Sequence, residues 1–133
     1  MLATIRATEP VEVVHTNDPA VKVSKSIDDD WIPVALAKSI DEGATRVSLR
    51  LMNSDTAARH FPDSIRQSMP TAVIFAIVDD CVSGIDPGDG AEINKPSEIR
   101  KWLKSLYFQD RLSLGAYIIK NSMTRADPLD DNA

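Results

Sequence analysis

The chain of 133 residues has few cysteines, histidines and glycines, and each shortage excludes a class of protein. A single cysteine, Cys81, excludes an intrachain disulfide and suits a reducing compartment. His15 and His60, the only histidines, do not give the close ligand spacing of structural zinc sites. The five glycines form neither G-x-G-x-x-G nor G-x-x-x-x-G-K, so no phosphate-binding loop is predicted. We therefore expect no metal, no cofactor and no enzymatic activity.

Long apolar runs and excess positive charge are also absent. The longest apolar run, Ala72 to Val78, is far shorter than the roughly 20 residues that span a bilayer. The first residues, M-L-A-T-I-R-A-T-E-P, lack the apolar segment of a signal peptide. A net charge of −5 opposes general nucleic-acid binding, which depends on neutralising phosphates. The sequence predicts a cytoplasmic protein that binds neither membranes nor nucleic acids.

What remains is an ordinary globular composition, with 43% hydrophobic and 26% charged residues. Its length predicts one domain over residues 1–123, followed by a disordered acidic tail over residues 124–133.

Alternating apolar and polar residues predict strands in the first half of the chain. Two such stretches flank T-N-D-P, which predicts a β-hairpin over residues 11–25. The segment W-I-P-V-A-L-A fits either an edge strand or a short helix over residues 34–40. The clearest strand is T-R-V-S-L-R-L-M, residues 45–52, and a weaker one is expected at residues 3–8.

The stretch P-T-A-V-I-F-A-I-V-D-D-C-V-S-G, from Pro70 to Gly84, is expected at the centre of the core. Periodicity alone does not distinguish a buried strand from a helix in so short an apolar run. Pro70 suits a first helical turn and Gly84 suits the position just past a helix end. We therefore favour a helix over residues 70–84, preceded by a loop or helical turn over residues 62–69.

Three further helices are predicted, over residues 55–60, 96–106 and 110–123. The apolar faces expected for the last two comprise Ile99, Trp102, Leu103 and Leu106, then Leu112, Ala116, Ile119 and Met123. This order predicts an α+β fold, in which an N-terminal antiparallel sheet of about three to five strands packs against a C-terminal cluster of about three to four helices.

Several acidic residues invite hypotheses of chemistry that their spacing does not support. The loop that begins at Asp86 departs from an EF-hand loop, because glycine and alanine occupy required positions. Asp79 and Asp80 are adjacent, so on a helix they diverge rather than converge on one substrate. Asp28–Asp30 is interpreted as a solvated acidic loop, and Cys81 as a buried, inert thiol.

One segment differs electrostatically from the rest of the chain. Residues 95–111 carry a local balance of +3, which leaves −8 on the remainder, and they include three of the seven aromatic residues. Tryptophan, tyrosine and arginine are frequent in interface hot spots, so a protein-binding surface is predicted here. The predicted surface comprises Arg100, Lys101, Lys104, Tyr107, Phe108 and Arg111. The alternative is a solvated helix face over core aromatics.

Complementary charge elsewhere makes a homo-oligomer a further expectation. The acidic residues that would meet this basic surface on a second copy are Asp79, Asp80, Asp86 and Asp89.

The order of these motifs resembles that of small bacteriophage tail assembly chaperones and related phage tail and head accessory proteins. The motifs that carry the resemblance are V-S-L-R-L-M-N-S-D (Val47 to Asp55), C-V-S-G-I (Cys81 to Ile85), D-P-G-D-G (Asp86 to Gly90), I-R-K-W-L-K-S-L (Ile99 to Leu106) and the following R-L-S-L-G-A-Y-I-I. The resemblance covers residues 44–123. It departs from the family layout at Leu51-Met52, where Pro-Leu is expected.

The resemblance implies a non-enzymatic phage protein in the host cytoplasm. Such a protein binds an aggregation-prone tail or tape-measure protein during assembly. The same layout also fits a structural virion component, such as a head-completion, tail or decoration protein. A small inhibitor of a host enzyme, whose acidic loops mimic nucleic acid, is a third hypothesis. In each case the expected partner is another protein.

Overall fold

The computed structural model describes residues 9–60 and 69–123, which form an α+β fold. The elements in chain order are β1 (Pro10–His15), β2 (Val21–Lys22), β3 (Trp31–Pro33), a 3-10 helix (Val34–Leu36), β4 (Ser39–Ile40), β5 (Arg46–Arg50), α1 (Ser54–His60), α2 (Thr71–Cys81), β6 (Val82–Asp86), α3 (Pro96–Lys104) and α4 (Phe108–Met123). The strand expected at residues 3–8, nearly all of the loop expected at 62–69 and the acidic tail expected at 124–133 lie outside the described residues.

The main sheet has four antiparallel strands in the order β3-β1-β5-β6, and β2 and β4 form a separate pair. The hairpin predicted over residues 11–25 is therefore wrong, since β1 pairs with β3 and β5 rather than with β2. The reason is the Asp18 carboxylate, which accepts hydrogen bonds from the backbone N–H groups of Ala20 (2.9 Å) and Thr45 (3.0 Å). These bonds tie the turn to the start of β5 and direct β2 away from β1.

The predicted helix over residues 70–84 is correct for Thr71–Cys81 and wrong beyond it, because β6 follows without a connecting loop. Val82 and Ile85 are buried and β-branched, and they pair with β5. Ile85 and Ile93 exchange two backbone hydrogen bonds of 3.0 and 2.8 Å, which close the intervening loop as a tight hairpin. Strand β6, one of the two edge strands of the main sheet, thus lies between helices α2 and α3 in the sequence.

The core lies between one face of the main sheet and helices α2, α3 and α4. It contains Val13, Val47, Leu49, Ile77, Val78, Leu103, Leu114 and Ile118, among others. This confirms the expectation that the central helix and both C-terminal helices share one core. A smaller cluster of Val14, Val21, Ile32 and Ala44 covers the other face of the sheet. Neighbours along β1, Val13 and Val14, enter different clusters because strand side chains alternate between faces.

The helix faces were predicted with unequal success. In α3, Ile99 and Leu103 are buried as expected. In α4 the expected face is wrong, because the buried residues are Leu114, Gly115 and Ile118. Apolar residues occur around most of this helix, so periodicity does not select one side. No helix within residues 9–60 and 69–123 combines the length and the apolar character needed to cross a bilayer.

Helices α2 and α4 cross closely because Gly115 has no side chain. A Cβ at this position would overlap Cγ2 of Ile74 and would lie 3.2 Å from Cγ2 of Val78. Both neighbouring atoms belong to β-branched side chains, whose rotamers have little freedom in a helix. The glycine therefore sets the distance between the two helices.

Replacing Gly115 with alanine should lower the free energy of unfolding. Alanine is favoured over glycine in a helix by about 1 kcal/mol, but an overpacked core typically costs about 1–3 kcal/mol. We expect urea denaturation to show a lower midpoint for Gly115→Ala. When Ile74→Ala is added, the double variant should lose less unfolding free energy than the sum of the losses in the two single variants. An alanine variant as stable as the parent would contradict the close crossing.

Candidate functional site

Three basic residues of α3 face solvent because the opposite side of the helix is buried. Ile99 and Leu103, four residues apart, both contact the core. This orientation leaves Arg100, Lys101 and Lys104 exposed, as the sequence predicts. None of the ion pairs found within the described ranges involves these three side chains.

Two aromatic residues lie beside them at the bend between α3 and α4. The backbone N–H of Ser105 donates to the Trp102 carbonyl (2.9 Å) where α3 ends, and the Tyr107 carbonyl accepts the Arg111 N–H (3.0 Å) where α4 begins. The bend exposes 83% of Tyr107 and 60% of Phe108. Together, Arg100, Lys101, Lys104, Tyr107 and Phe108 form what we call the basic aromatic surface.

Arg111, which the sequence places with this group, turns inward instead. Its terminal nitrogen lies 3.2 Å from Oδ1 of Asp79, and only 13% of its side chain is exposed. Its guanidinium carbon lies 4.1 Å from the centroid of the Phe75 ring, a cation–π contact. Phe75 in turn meets Phe108 edge to face at 5.7 Å. Arg111 therefore joins α4 to α2, and it packs on Phe75, which contacts Phe108.

Two other acidic residues near these helices, Asp80 and Asp86, are engaged within the chain. Asp80 contacts Nε2 of His60, on the side of α2 away from the partner of Asp79. The two neighbouring carboxylates thus diverge, as predicted. Asp86 accepts a hydrogen bond from the Gly88 backbone N–H at 3.0 Å and so stabilises a turn. Within the part of the chain that the structure describes, no group of three or more His, Cys, Asp or Glu residues is arranged to hold a metal ion.

Trp31 separates two depressions that sequence reasoning missed. Its indole N–H donates to the Asp110 carbonyl and to Oγ of Ser113, both at 3.1 Å, which fixes β3 against α4. On one side, a groove of about 500 Å³ runs past Trp102 and Tyr107. The imidazole of His15 meets Trp31 edge to face at 4.8 Å on this side.

His15 completes the contact between the sheet and α4. Its Nδ1 accepts a hydrogen bond from the Asn17 N–H (3.0 Å), so the neutral ring carries its proton on Nε2. Nε2 lies 3.2 Å from Oδ1 of Asp110, although the geometry does not make a hydrogen bond. His15 therefore lines this groove while its ring contacts Trp31 and lies beside Asp110 in the first turn of α4.

On the other side of Trp31 lies a cleft of about 400 Å³, which we call the acidic cleft. Its lining residues are Asp28, Asp29, Asp30, Trp31, Ile32, Pro33, Leu36, Ser113, Ala116, Tyr117, Lys120 and Asn121. Burial, and next the negative charge of Asp29, raises the pKa of Tyr117. The three aspartates thus form a wall of a cleft, which no local sequence signal indicated because the opposite wall comes from α4.

No family model, curated protein or solved structure matches the chain.

Cys81 is buried, and its surroundings make it a poor nucleophile. Burial, and next the negative charge of Asp80, raises the pKa of this thiol from 9.0 to about 11. Near neutral pH the thiolate fraction is then lower than that of a free thiol by about a hundredfold.

The native protein should therefore react with a thiol-specific disulfide reagent at pH 8 at least about a hundredfold more slowly than the urea-unfolded chain. The folded state also binds more protons than the unfolded state between about pH 9 and 11, so stability should fall as pH rises through that window. Equal labelling rates in the native and unfolded proteins would contradict the burial of Cys81.

Arg111→Ala should destabilise the fold, because it leaves Asp79 without its partner and uncovers Phe75. Since the pair is partly exposed, we expect a loss of about 1–3 kcal/mol in urea denaturation. Arg100→Ala, at an exposed position, is the matched control and should stay within about 0.5 kcal/mol of the parent. Equal effects of the two changes would show that Arg111 is a surface residue.

Proposed function

We propose that this chain is a non-enzymatic assembly or accessory protein that binds another protein through the basic aromatic surface. The observation that carries the proposal is the pair Tyr107 and Phe108, exposed by 83% and 60% beside three basic side chains. Aromatic side chains bury about 150–250 Å² each and dominate interface energetics. Two of them left largely in water at one bend therefore favour a docking role.

The surface is also preorganised for binding. Phe75 meets Phe108 edge to face, and the Tyr107 carbonyl accepts a hydrogen bond from the first turn of α4, so the backbone that carries both rings is ordered. Anchors that are already ordered lose little conformational entropy on association. Arg100, Lys101 and Lys104 surround these anchors and attract an acidic partner, mainly by raising the rate of association.

The chemistry of the remaining side chains supports a non-enzymatic role. Asp79 and Asp80 separate to Arg111 and His60, and the Cys81 thiol is protonated at neutral pH. These groups join secondary-structure elements to one another. Their arrangement gives no nucleophile paired with a base, which covalent catalysis requires.

The resemblance to phage tail assembly chaperones suggests the class of partner. On this proposal the chain acts in the host cytoplasm and covers an exposed surface of a tail or tape-measure protein before assembly. A structural role in the virion, as a head-completion, tail or decoration protein, is the second candidate. The acidic cleft favours that candidate, because a chain with both a basic and an acidic surface is suited to repeated contacts.

The test is co-expression with tail, tape-measure and head proteins of the phage that encodes the chain, followed by co-purification and titration. Changing Arg100, Lys101 and Lys104 to glutamate should weaken capture by about tenfold or more, and added salt should weaken capture by the parent. The matched control changes Lys22, Lys38 and Arg50 to glutamate. These three side chains are exposed and contribute to neither the basic aromatic surface nor the acidic cleft.

Tyr107→Ala gives an independent check of the aromatic anchor and should reduce affinity by about tenfold or more. If the parent captures one of these phage proteins and the glutamate and alanine variants capture it equally well, the basic aromatic surface is not the docking site. Capture of none of them would overturn the proposed class of partner.

A further inference from the structure

We infer that the basic aromatic surface of one copy docks into the acidic cleft of a second copy, so that the chain self-associates. The inference rests on the proposed function, since it names a second copy as a partner of the same surface.

The charges of the described residues direct the basic surface to this cleft. Of the four acidic residues first expected to serve self-association, Asp79 pairs with Arg111, Asp80 contacts His60 and Asp86 stabilises its own turn. Asp89, the fourth, is a single exposed residue. By contrast, none of the ion pairs within residues 9–60 and 69–123 involves Asp28, Asp29 or Asp30. Three adjacent aspartates offer Arg100, Lys101 and Lys104 of a neighbour more negative charge in one place than the single Asp89 does.

The acidic wall is also held in place before any partner arrives. The hydroxyl of Thr16 donates to the carbonyls of Asp29 (2.9 Å) and Asp30 (3.3 Å), and its backbone N–H donates to Asp30 (2.8 Å). The lining residues include these three aspartates and one basic residue, Lys120. The cleft therefore carries net negative charge and is complementary to the three basic residues.

Most of the large hydrophobic side chains that the described residues expose lie on the basic aromatic surface or in the acidic cleft. The large hydrophobic side chains that the described residues leave exposed are Leu36, Tyr107, Phe108 and Met123. Leu36, exposed by 59%, lines the acidic cleft, and Tyr107 and Phe108 belong to the basic aromatic surface. Docking one onto the other removes three of these four side chains from water, a favourable change roughly proportional to the apolar area buried.

The shape of the cleft suits an aromatic anchor. Its volume of about 400 Å³ lies within the range of pockets that enclose small organic groups. Pro33 and Leu36 give it an apolar side, and Ala116 and Tyr117 lie on α4 opposite them. A phenol or phenyl ring can enter this apolar part while the basic side chains reach the aspartates at the rim.

A chain cannot fill its own cleft. Phe108 begins α4, whereas Tyr117 and Lys120 lie about 14–18 Å further along the helix axis at 1.5 Å per residue. Because the helix is packed along its length, the two sites stay apart within one molecule. A basic aromatic surface that enters this cleft therefore belongs to a second copy, and this docking competes with any other protein that binds the same surface.

The test is sedimentation analysis of the full chain across the micromolar to millimolar range, because contacts of this small size give weak complexes. The parent should self-associate, and salt should weaken the association. Two variants should each raise the dissociation constant by about tenfold or more. They are the surface variant R100E/K101E/K104E and the cleft variant D28K/D29K/D30K. The control variant K22E/K38E/R50E should associate like the parent.

Mixing the surface variant with the cleft variant is the decisive measurement. The surface variant retains the acidic cleft and the cleft variant retains the basic aromatic surface, so the mixture should associate at concentrations at which neither variant does so alone. Far-UV circular dichroism and urea midpoints check that the variants are folded. If the cleft variant is unstable, D28N/D29N, which changes two exposed side chains, takes its place.

A parent that stays monomeric throughout, or a mixture that does not associate, would overturn the inference. These failures are distinct from failure of the proposed function. If the parent is monomeric but the surface variant loses capture of a phage protein, the proposed function stands without self-association. If the parent self-associates as described and captures no phage protein, the inference stands and the proposed class of partner falls.

Discussion

The close crossing of α2 and α4 is the constraint on which the rest of the structure depends. Gly115 allows the two backbones to approach, and this contact brings Arg111 within reach of Asp79 and places its guanidinium over Phe75. Phe75 then positions Phe108. A larger separation of the helices would loosen this chain of contacts together with the core around Val78 and Leu114. The exposed bend is thus fixed by a residue that has no side chain.

Much of the fold was predictable because its signals are local. Alternating apolar and polar residues in R-V-S-L-R predict β5. The spacing of Ile99 and Leu103 predicts the buried side of α3, and with it the exposure of the basic residues Arg100, Lys101 and Lys104. Asn53 caps α1, since its Oδ1 accepts the Thr56 N–H at 2.9 Å. In these elements the sequence period and the tertiary environment select the same face.

The errors arise where distant residues decide the outcome. The carboxylate of Asp18 binds the N–H of Thr45, so the expected hairpin gives way to pairing between β1 and β5. Val82 leaves the helical pattern because β5 offers it a strand partner. The inward turn of Arg111 depends on Asp79, and the acidic cleft requires Asp28–Asp30 and α4 to meet across Trp31. None of these pairings leaves a periodic trace in the sequence.

The direct passage from α2 into β6 has a mechanical consequence. Cys81 is the last helical residue and Val82 the first residue of the strand, so no loop separates a core helix from the edge of the sheet. Few backbone torsions are available there to absorb a relative displacement, in contrast to the hinge segments through which domains move. Since α4 rests on α2, a force applied at Tyr107 or Phe108 is transmitted to the sheet as strain. Helix α2 and the edge strand β6 are therefore expected to move together rather than about a hinge.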